Sequence, residues 1–149
     1  MKSKIHYAEY LIQPPHPVTV SVIGAGGNGS QVIQGLARMN VTLKALGHPG
    51  LTIVMYDDDK VTEANCGRQL FAESDIGRYK ADVLISRINR FYGTAWHSTN
   101  FRYTEDNRGF TNVVISCVDT AKARIDISKI WERNGVFQDW ERPYYWLDL

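Results

Sequence analysis

Apolar positions along the chain fall into two alternating rhythms. Val18–Ile23 (VTVSVI), Leu51–Tyr56 (LTIVMY) and residues 112–118 (NVVISCV) are β-branched and nearly continuously apolar, as strands buried on both faces are. Between the first two, Val32, Leu36, Met39, Leu43 and Leu46 recur at helical spacing. This predicts a long amphipathic helix from Gln31, stopped by Gly47 with Pro49 beyond. A second helix is predicted over 77–92, with Leu84, Ile88 and Phe91 on one stripe. A third, capped by Asp119-Thr120, turns Ile127, Ile130 and Trp131 inward and ends at Gly135. Residues 94–100 read as a weak strand and 143–149 (PYYWLDL) as a last one. Residues 60–76 hold no long period and read as a loop with short helical turns, and 101–110 as a polar connection. The PPHP at 14–17 cannot be helical and closes a polar N-terminal arm, residues 1–17, ahead of one domain over 18–149. Strands alternating with helices imply an α/β fold, an open, mainly parallel, doubly wound sheet with helices on both faces.

Composition narrows the function more by exclusion. Seventeen Lys and Arg against sixteen Asp and Glu leave a net charge of +1, without the basic excess that nucleic-acid binding calls for. Two cysteines, Cys66 and Cys117, are too few for a disulfide framework or a four-thiolate zinc site. The N-terminus has no apolar signal segment and no apolar run approaches membrane-spanning length, so a cytoplasmic protein is expected. His6, His16, His48 and His97 show no ligand spacing. Arg78, Arg87 and Arg90 read as the wet face of a helix, and Trp131, Trp140 and Trp146 as core or interface residues.

Chemistry concentrates at the ends of the predicted strands. Gly24-Ala-Gly26-Gly27-Asn28-Gly29 is a G-x-G-x-x-G between strand and helix, the Rossmann-like arrangement. Gly24 permits a tight turn, Gly26 lets backbone approach phosphate oxygens, and Gly29 allows helix and strand to touch. Glycine clusters also make plain turns. Asp57 ends the second strand, where a doubly wound fold places the acid for ribose hydroxyls, although Asp57–Asp59 also suits a solvated turn. Asp58 should point away to the surface. Asp119 follows the third strong strand and suits either Mg²⁺, held together with substrate phosphates, or the cap of the next helix. Beyond the ribose acid come Arg68 and Lys80, with Asn65 suited either to donate to a phosphate or to position Arg68. Fixed cations there serve a site that cleaves between the α- and β-phosphates better than one that transfers hydride.

The blocks GAGGNGS, DDDKVTEANCGRQ, DIGRYK and CVDTAKAR together resemble the ThiF/MoeB adenylyltransferases, the ubiquitin-activating-enzyme fold, over nearly the whole chain. LGHPG, NCGRQLF and the closing YYWLDL look most like the PRTRC-system branch. The resemblance implies ATP and Mg²⁺ as cofactors. It assigns Asp57 to ribose, Arg68 and Lys80 to phosphates and Asp119 to the metal, with Asn65 and Gln69 on the family's asparagine and glutamine. Gly24, Gly26, Gly27, Gly29 and Asp59 complete the expected nucleotide site, and Arg68, Lys80 and Asp119 the catalytic set. The implied reaction is attack of a substrate carboxylate on the α-phosphate, giving an acyl-adenylate and pyrophosphate. The implied partner is the carboxyl terminus of a small ubiquitin-like or sulfur-carrier-like protein, and the implied assembly a homodimer without nucleic acid or membrane.

Departures from the family are equally specific. Members usually continue past this point, so a chain ending at YYWLDL is expected to be truncated. Neither cysteine holds the transfer-thiol position. Cys117 reads as core, and Cys66, beside Arg68, as a packed side chain or a reactive thiol. The arm offers Lys2 and Lys4 but no arginine for a partner's site. Two other readings stand beside adenylation: a nucleotide-binding module without turnover, and an NAD-dependent oxidoreductase.

Overall fold

The structure is a computed structural model that describes residues 8–132 and 143–149. Lys2, Lys4, His6, Gly135 and Trp140 lie outside the described residues. The elements run α1 (Glu9–Ile12), β1 (Val18–Ile23), α2 (Gly27–Ala45), β2 (Leu51–Tyr56), α3 (Lys80–Tyr92), β3 (His97–Thr99), β4 (Val113–Ser116), α4 (Ala121–Glu132) and β5 (Tyr145–Asp148). Five strands form one sheet in the order β3-β2-β1-β4-β5, every adjacent pair parallel. This is the open α/β arrangement that the alternating pattern predicts.

Strand alternation sends successive side chains to opposite faces, so two cores result. The larger joins Val18, Val20, Val22, Ile53, Met55 and Ile115 to Ile33 and Leu36 of α2 and Leu84, Ile85 and Ile88 of α3. The smaller joins Ile23, Tyr56 and Val114 to Tyr103 and Ile127, with Ile130 and Trp146 packed at its margin. Trp131 lies beside Trp146, as the inward stripe of α4 predicts.

The structure corrects the sequence expectations in several details. α2 begins at Gly27 rather than Gln31, and its buried face is Ile33, Leu36, Ala37 and Asn40. Met39 and Leu46 are 53% and 79% exposed, so the all-apolar stripe is rotated from the true one. Asn40 belongs inside because its Oδ1 accepts the Leu51 N–H at 2.7 Å, meeting a backbone donor at the start of β2. α3 starts at Lys80, because Gly77–Tyr79 instead bridge to the 59–61 segment: Val61 N–H donates to the Arg78 carbonyl and Gly77 N–H to that of Val61. Phe91 is 80% exposed and lies edge-on to Tyr92, while Leu84 and Ile88 are buried as expected. The cap of α4 comes from Thr120 alone: its Oγ1 accepts the Ala123 N–H at 3.2 Å, and Asp119 takes no part.

The described part of the arm docks at the amino ends of the strands. Tyr10 packs on Tyr144, and His48 bonds the Leu11 carbonyl while accepting the Gly50 N–H. No helix among the described residues is long and apolar enough to cross a membrane.

Candidate functional site

A cleft of about 860 Å³ opens at the carboxyl ends of β1, β2 and β4, beside the switch in strand order where open α/β sheets take ligands. The chain enters it through the glycine turn. Gly24 has φ +98° and donates its N–H to the Tyr56 carbonyl at 2.8 Å; a Cβ there would sit 2.8 Å from the Cys117 carbonyl oxygen. At Gly29 a Cβ would lie 1.9 Å from the Gly24 carbonyl oxygen, so α2 touches the turn that precedes it. Gly26 and Gly27 differ. A Cβ on Gly26 would meet nothing nearer than Gln69 Nε2 at 4.0 Å, and one on Gly27 nothing within 4 Å. Both line the cleft. Gly26 caps α2 without a side-chain bond and no acidic residue stands in the first turn, so the protein leaves the helix's positive end unmet.

Asp57 is half-buried beneath this turn. Its Oδ2 accepts the Ala25 N–H at 2.6 Å and its Oδ1 the Asp59 N–H at 2.9 Å. Burial holds its pKa above the ordinary aspartate value, the two amides opposing that shift. Asp59 receives Lys80 Nζ at 2.8 Å, and Lys80 is itself buried at 8% exposure. Asp58 is exposed, as expected, but it does not point away: it borders the cleft and accepts from Arg102 Nε at 2.9 Å.

The remaining predicted residues divide. Arg68 lines the cleft, is exposed, and makes no hydrogen bond or ion pair with the described residues. Gln69 lines it too, with a buried Oε1 that has no partner. Asp119 stands exposed on the far wall at the end of β4. Asn65 does not line the cleft: it is buried, and its Oδ1 accepts from the Thr62 N–H and hydroxyl, both at 2.9 Å, bracing the short turn Glu63–Asn65 that leads to Arg68. Gly29 lies behind the lining as a packing contact.

Several lining residues escaped the sequence reading, Arg102, Tyr103, Glu105 and Lys122 among them. Tyr103 is buried edge-on to Tyr56, ring centroids 5.1 Å apart, and burial pushes its hydroxyl up to about 12. Lys122, exposed on the first turn of α4, also lines the cleft. Nothing in the sequence set Tyr103 apart from Phe101 and Phe110, the other aromatics of the same connection. Cys117 is core, as read from its strand, and burial raises its thiol to about 11.

The ThiF family model matches residues 16–136. This chain belongs to the ThiF family. It is 27% identical over 145 residues to ubiquitin-like modifier-activating enzyme 5 of Caenorhabditis elegans, covering 81% of this chain and 32% of that protein. With the catalytic subunit of the NEDD8-activating enzyme E1 of the same organism it shares 31% identity over 110 residues, covering 70% and 24%. The chain thus spans about a third or less of the length of these curated relatives. Among solved structures, E. coli tRNA N6-threonylcarbamoyladenosine dehydratase, TcdA, in complex with ATP matches with TM-score 0.69 at 23% identity, over 95% of this chain and 54% of that one. E. coli MccB matches with TM-score 0.56 at 18% identity, over 70% and 29%. These structural likenesses concern the fold.

The residues present suit a nucleoside triphosphate. The cleft volume falls within the usual range for small-molecule sites, of roughly 300–1,000 Å³. Gly26 and Gly27 border open space, and Gln69 Oε1 is a buried acceptor left without a donor. For a divalent cation, no group of three or more His, Cys, Asp or Glu among the described residues could hold one unaided. Asp119 supplies a single hard oxygen ligand, which suits an ion shared with phosphate oxygens.

Proposed function

We propose that this chain, a ThiF-family domain, binds Mg-ATP and activates a substrate carboxylate as an acyl-adenylate, with release of pyrophosphate. The observation that carries the reading is an unpaired Arg68 lining the same cleft as Lys80 and a ribose-type acid, Asp57. An NAD-dependent oxidoreductase has no use for fixed cations in that position.

In this reading Asp57 takes the ribose hydroxyls and the amides of Gly26 and Gly27 take phosphate oxygens. Arg68 and Lys80 meet the charge that grows on the departing pyrophosphate. Lys80 reaches the phosphates by leaving Asp59, its partner in the structure. Asn65 acts behind Arg68, holding the turn that presents it. Asp119 would hold Mg²⁺, whose chemistry is to neutralise phosphate charge. The attacking carboxylate is already an anion near neutral pH, so no general base is needed.

The substrate class we favour is the carboxyl terminus of a small ubiquitin-like or sulfur-carrier-like protein, supported by the relatives named as ubiquitin-like modifier-activating enzymes. A homodimer, and membership of the PRTRC-system branch on the strength of LGHPG, NCGRQLF and YYWLDL, belong to the same proposal. Two free thiols, Cys66 and Cys117, suit a reducing cytoplasm.

ATP–pyrophosphate exchange, driven by candidate peptides ending in glycine, tests the chemistry. Thermal protection tests the ligand: Mg-ATP should raise Tm by mass action while NAD at matched concentration should not. Equal or greater protection by NAD would sink the adenylation reading. ATP protection with no exchange would leave a nucleotide-binding module.

A further inference from the structure

We propose that a second cavity, on the flank of α3, is a binding site for a phosphate dianion. This depression of about 230 Å³ is lined by Arg78, Val83, Ser86, Arg87 and Arg90, and it shares no residue with the nucleotide cleft. The four residues from α3 recur at i, i+3, i+4 and i+7, so they stand on one face of the helix. Val83, 1% exposed, is an apolar floor beneath them.

The three guanidiniums are not equivalent. Arg87 is held from behind: one nitrogen donates to the Leu70 carbonyl at 2.6 Å and another to the Asp75 carboxylate. Asp75 is buried and oriented, its Oδ2 also accepting the Ala72 N–H at 2.8 Å. Arg78 stands 3.8 Å from the same carboxylate, beyond a hydrogen bond. Arg90 makes no hydrogen bond or ion pair among the described residues. Only two of the three guanidiniums approach that one carboxylate, so the depression keeps an excess of two positive charges.

That excess selects the ligand. A phosphate monoester carries about −1.5 to −2 charge near neutral pH and three acceptor oxygens, whereas one carboxylate carries a single charge. Guanidinium forks match phosphate oxygens in bidentate geometry, with Arg87 already oriented and Arg90 free to close on the ligand. The volume lies below the roughly 300 Å³ at which ordinary small-molecule pockets begin, which leaves room for one phosphate group and its nearest atoms but not for a nucleotide. The group could arrive as free phosphate or on a phosphorylated side chain; the recognition chemistry is shared. None of this rests on adenylation at the other cleft.

The test is NMR of the arginine Nε–H groups in the full chain, titrated with inorganic phosphate and, separately, with a phosphoserine peptide, each with and without saturating AMP. The expected result is a saturable shift of the Arg78 and Arg90 signals that survives AMP. Arg90→Ala should weaken binding about tenfold or more, as loss of a charge-assisted bond implies, with partial recovery in Arg90→Lys and no change in Arg68→Ala. Peptide binding at least about tenfold tighter than phosphate would identify a phosphorylated chain as the source, and equal binding free phosphate; both support the site. Shifts that never saturate, that AMP abolishes, or that Arg90→Ala leaves intact would overturn it.

Discussion

The residues that line the cleft fall into two groups built on opposite terms. In the first every polar group named already has a partner: Asp57 takes two backbone amides, Asp59 takes Lys80, and Gly24 is bonded to Tyr56. In the second, Arg68, the Gln69 side-chain carbonyl and Asp119 are uncommitted among the described residues. The first group holds the fold together and shapes the site at once. The second contributes little to the fold, so its side chains can be read as ligand-directed. Substitutions in the first should damage stability and binding together, and those in the second binding alone.

The largest contrast lies within the glycine turn itself. Gly29→Ala places a methyl 1.9 Å from a backbone oxygen and should destabilise the protein by about 3 kcal/mol or more. Gly26→Ala, facing open cleft, should stay within about 0.5 kcal/mol in urea denaturation yet lose ATP affinity. Equal stability losses at both positions would erase the distinction between packing and ligand glycines.

Next in size is the split between ribose and phosphate recognition. Arg68→Ala should weaken ATP about ten- to a hundredfold by calorimetry, leave AMP within about twofold and leave the fold alone. Asp57→Ala should weaken both nucleotides and also cost about 1–2 kcal/mol of stability, since Ala25 and Asp59 lose their acceptor. Arg68→Ala with unchanged ATP affinity would return that arginine to the surface.

A smaller effect tests Asp119. Because Thr120 alone supplies the cap, Asp119→Asn should keep apo stability within about 0.5 kcal/mol. The enhancement that Mg²⁺ gives to ATP binding should nevertheless shrink sharply. An undiminished Mg²⁺ effect would remove the metal role.

The smallest effect is a pH dependence. The folded pKa of Asp57 is raised above its unfolded value, chiefly by burial. Its contribution to stability is therefore fully present below the ordinary aspartate value of 3.8 and lost as pH rises through the raised folded value. Denaturation midpoints of parent minus Asp57→Ala, measured across that window, should show this decline. A difference that grew with pH would mean that the two amides outweigh burial.

Much of this was legible in the residues. The three apolar runs became β1, β2 and β4, because a parallel sheet covered on both faces tolerates few polar positions. Asp57, Arg68, Lys80 and Asp119 do meet in one cleft. The α2 stripe was misread because Asn40 looks unlike a core residue, and only its meeting with the Leu51 N–H, a tertiary contact, explains its burial. Asn65 reads from the sequence as a phosphate donor or as a positioner of Arg68, and its bonds to Thr62 favour the second. Tyr103 was missed because its partner, Tyr56, is remote in sequence.

Gly29 and Gly24 touch, and that contact turns a sequence motif into a clasp of fixed length. A residue inserted between them would have to bulge into the cleft or part α2 from β1. Redesign of this site for another ligand therefore has an immovable stretch, 24–29, and an adjustable one. The adjustable set is Arg68 and Gln69, with Arg102, Thr104, Asp119 and Lys122, which border the cleft outside the core. A library that randomises the first stretch should yield mostly unfolded chains. One that randomises the second should yield folded proteins that differ in what they hold.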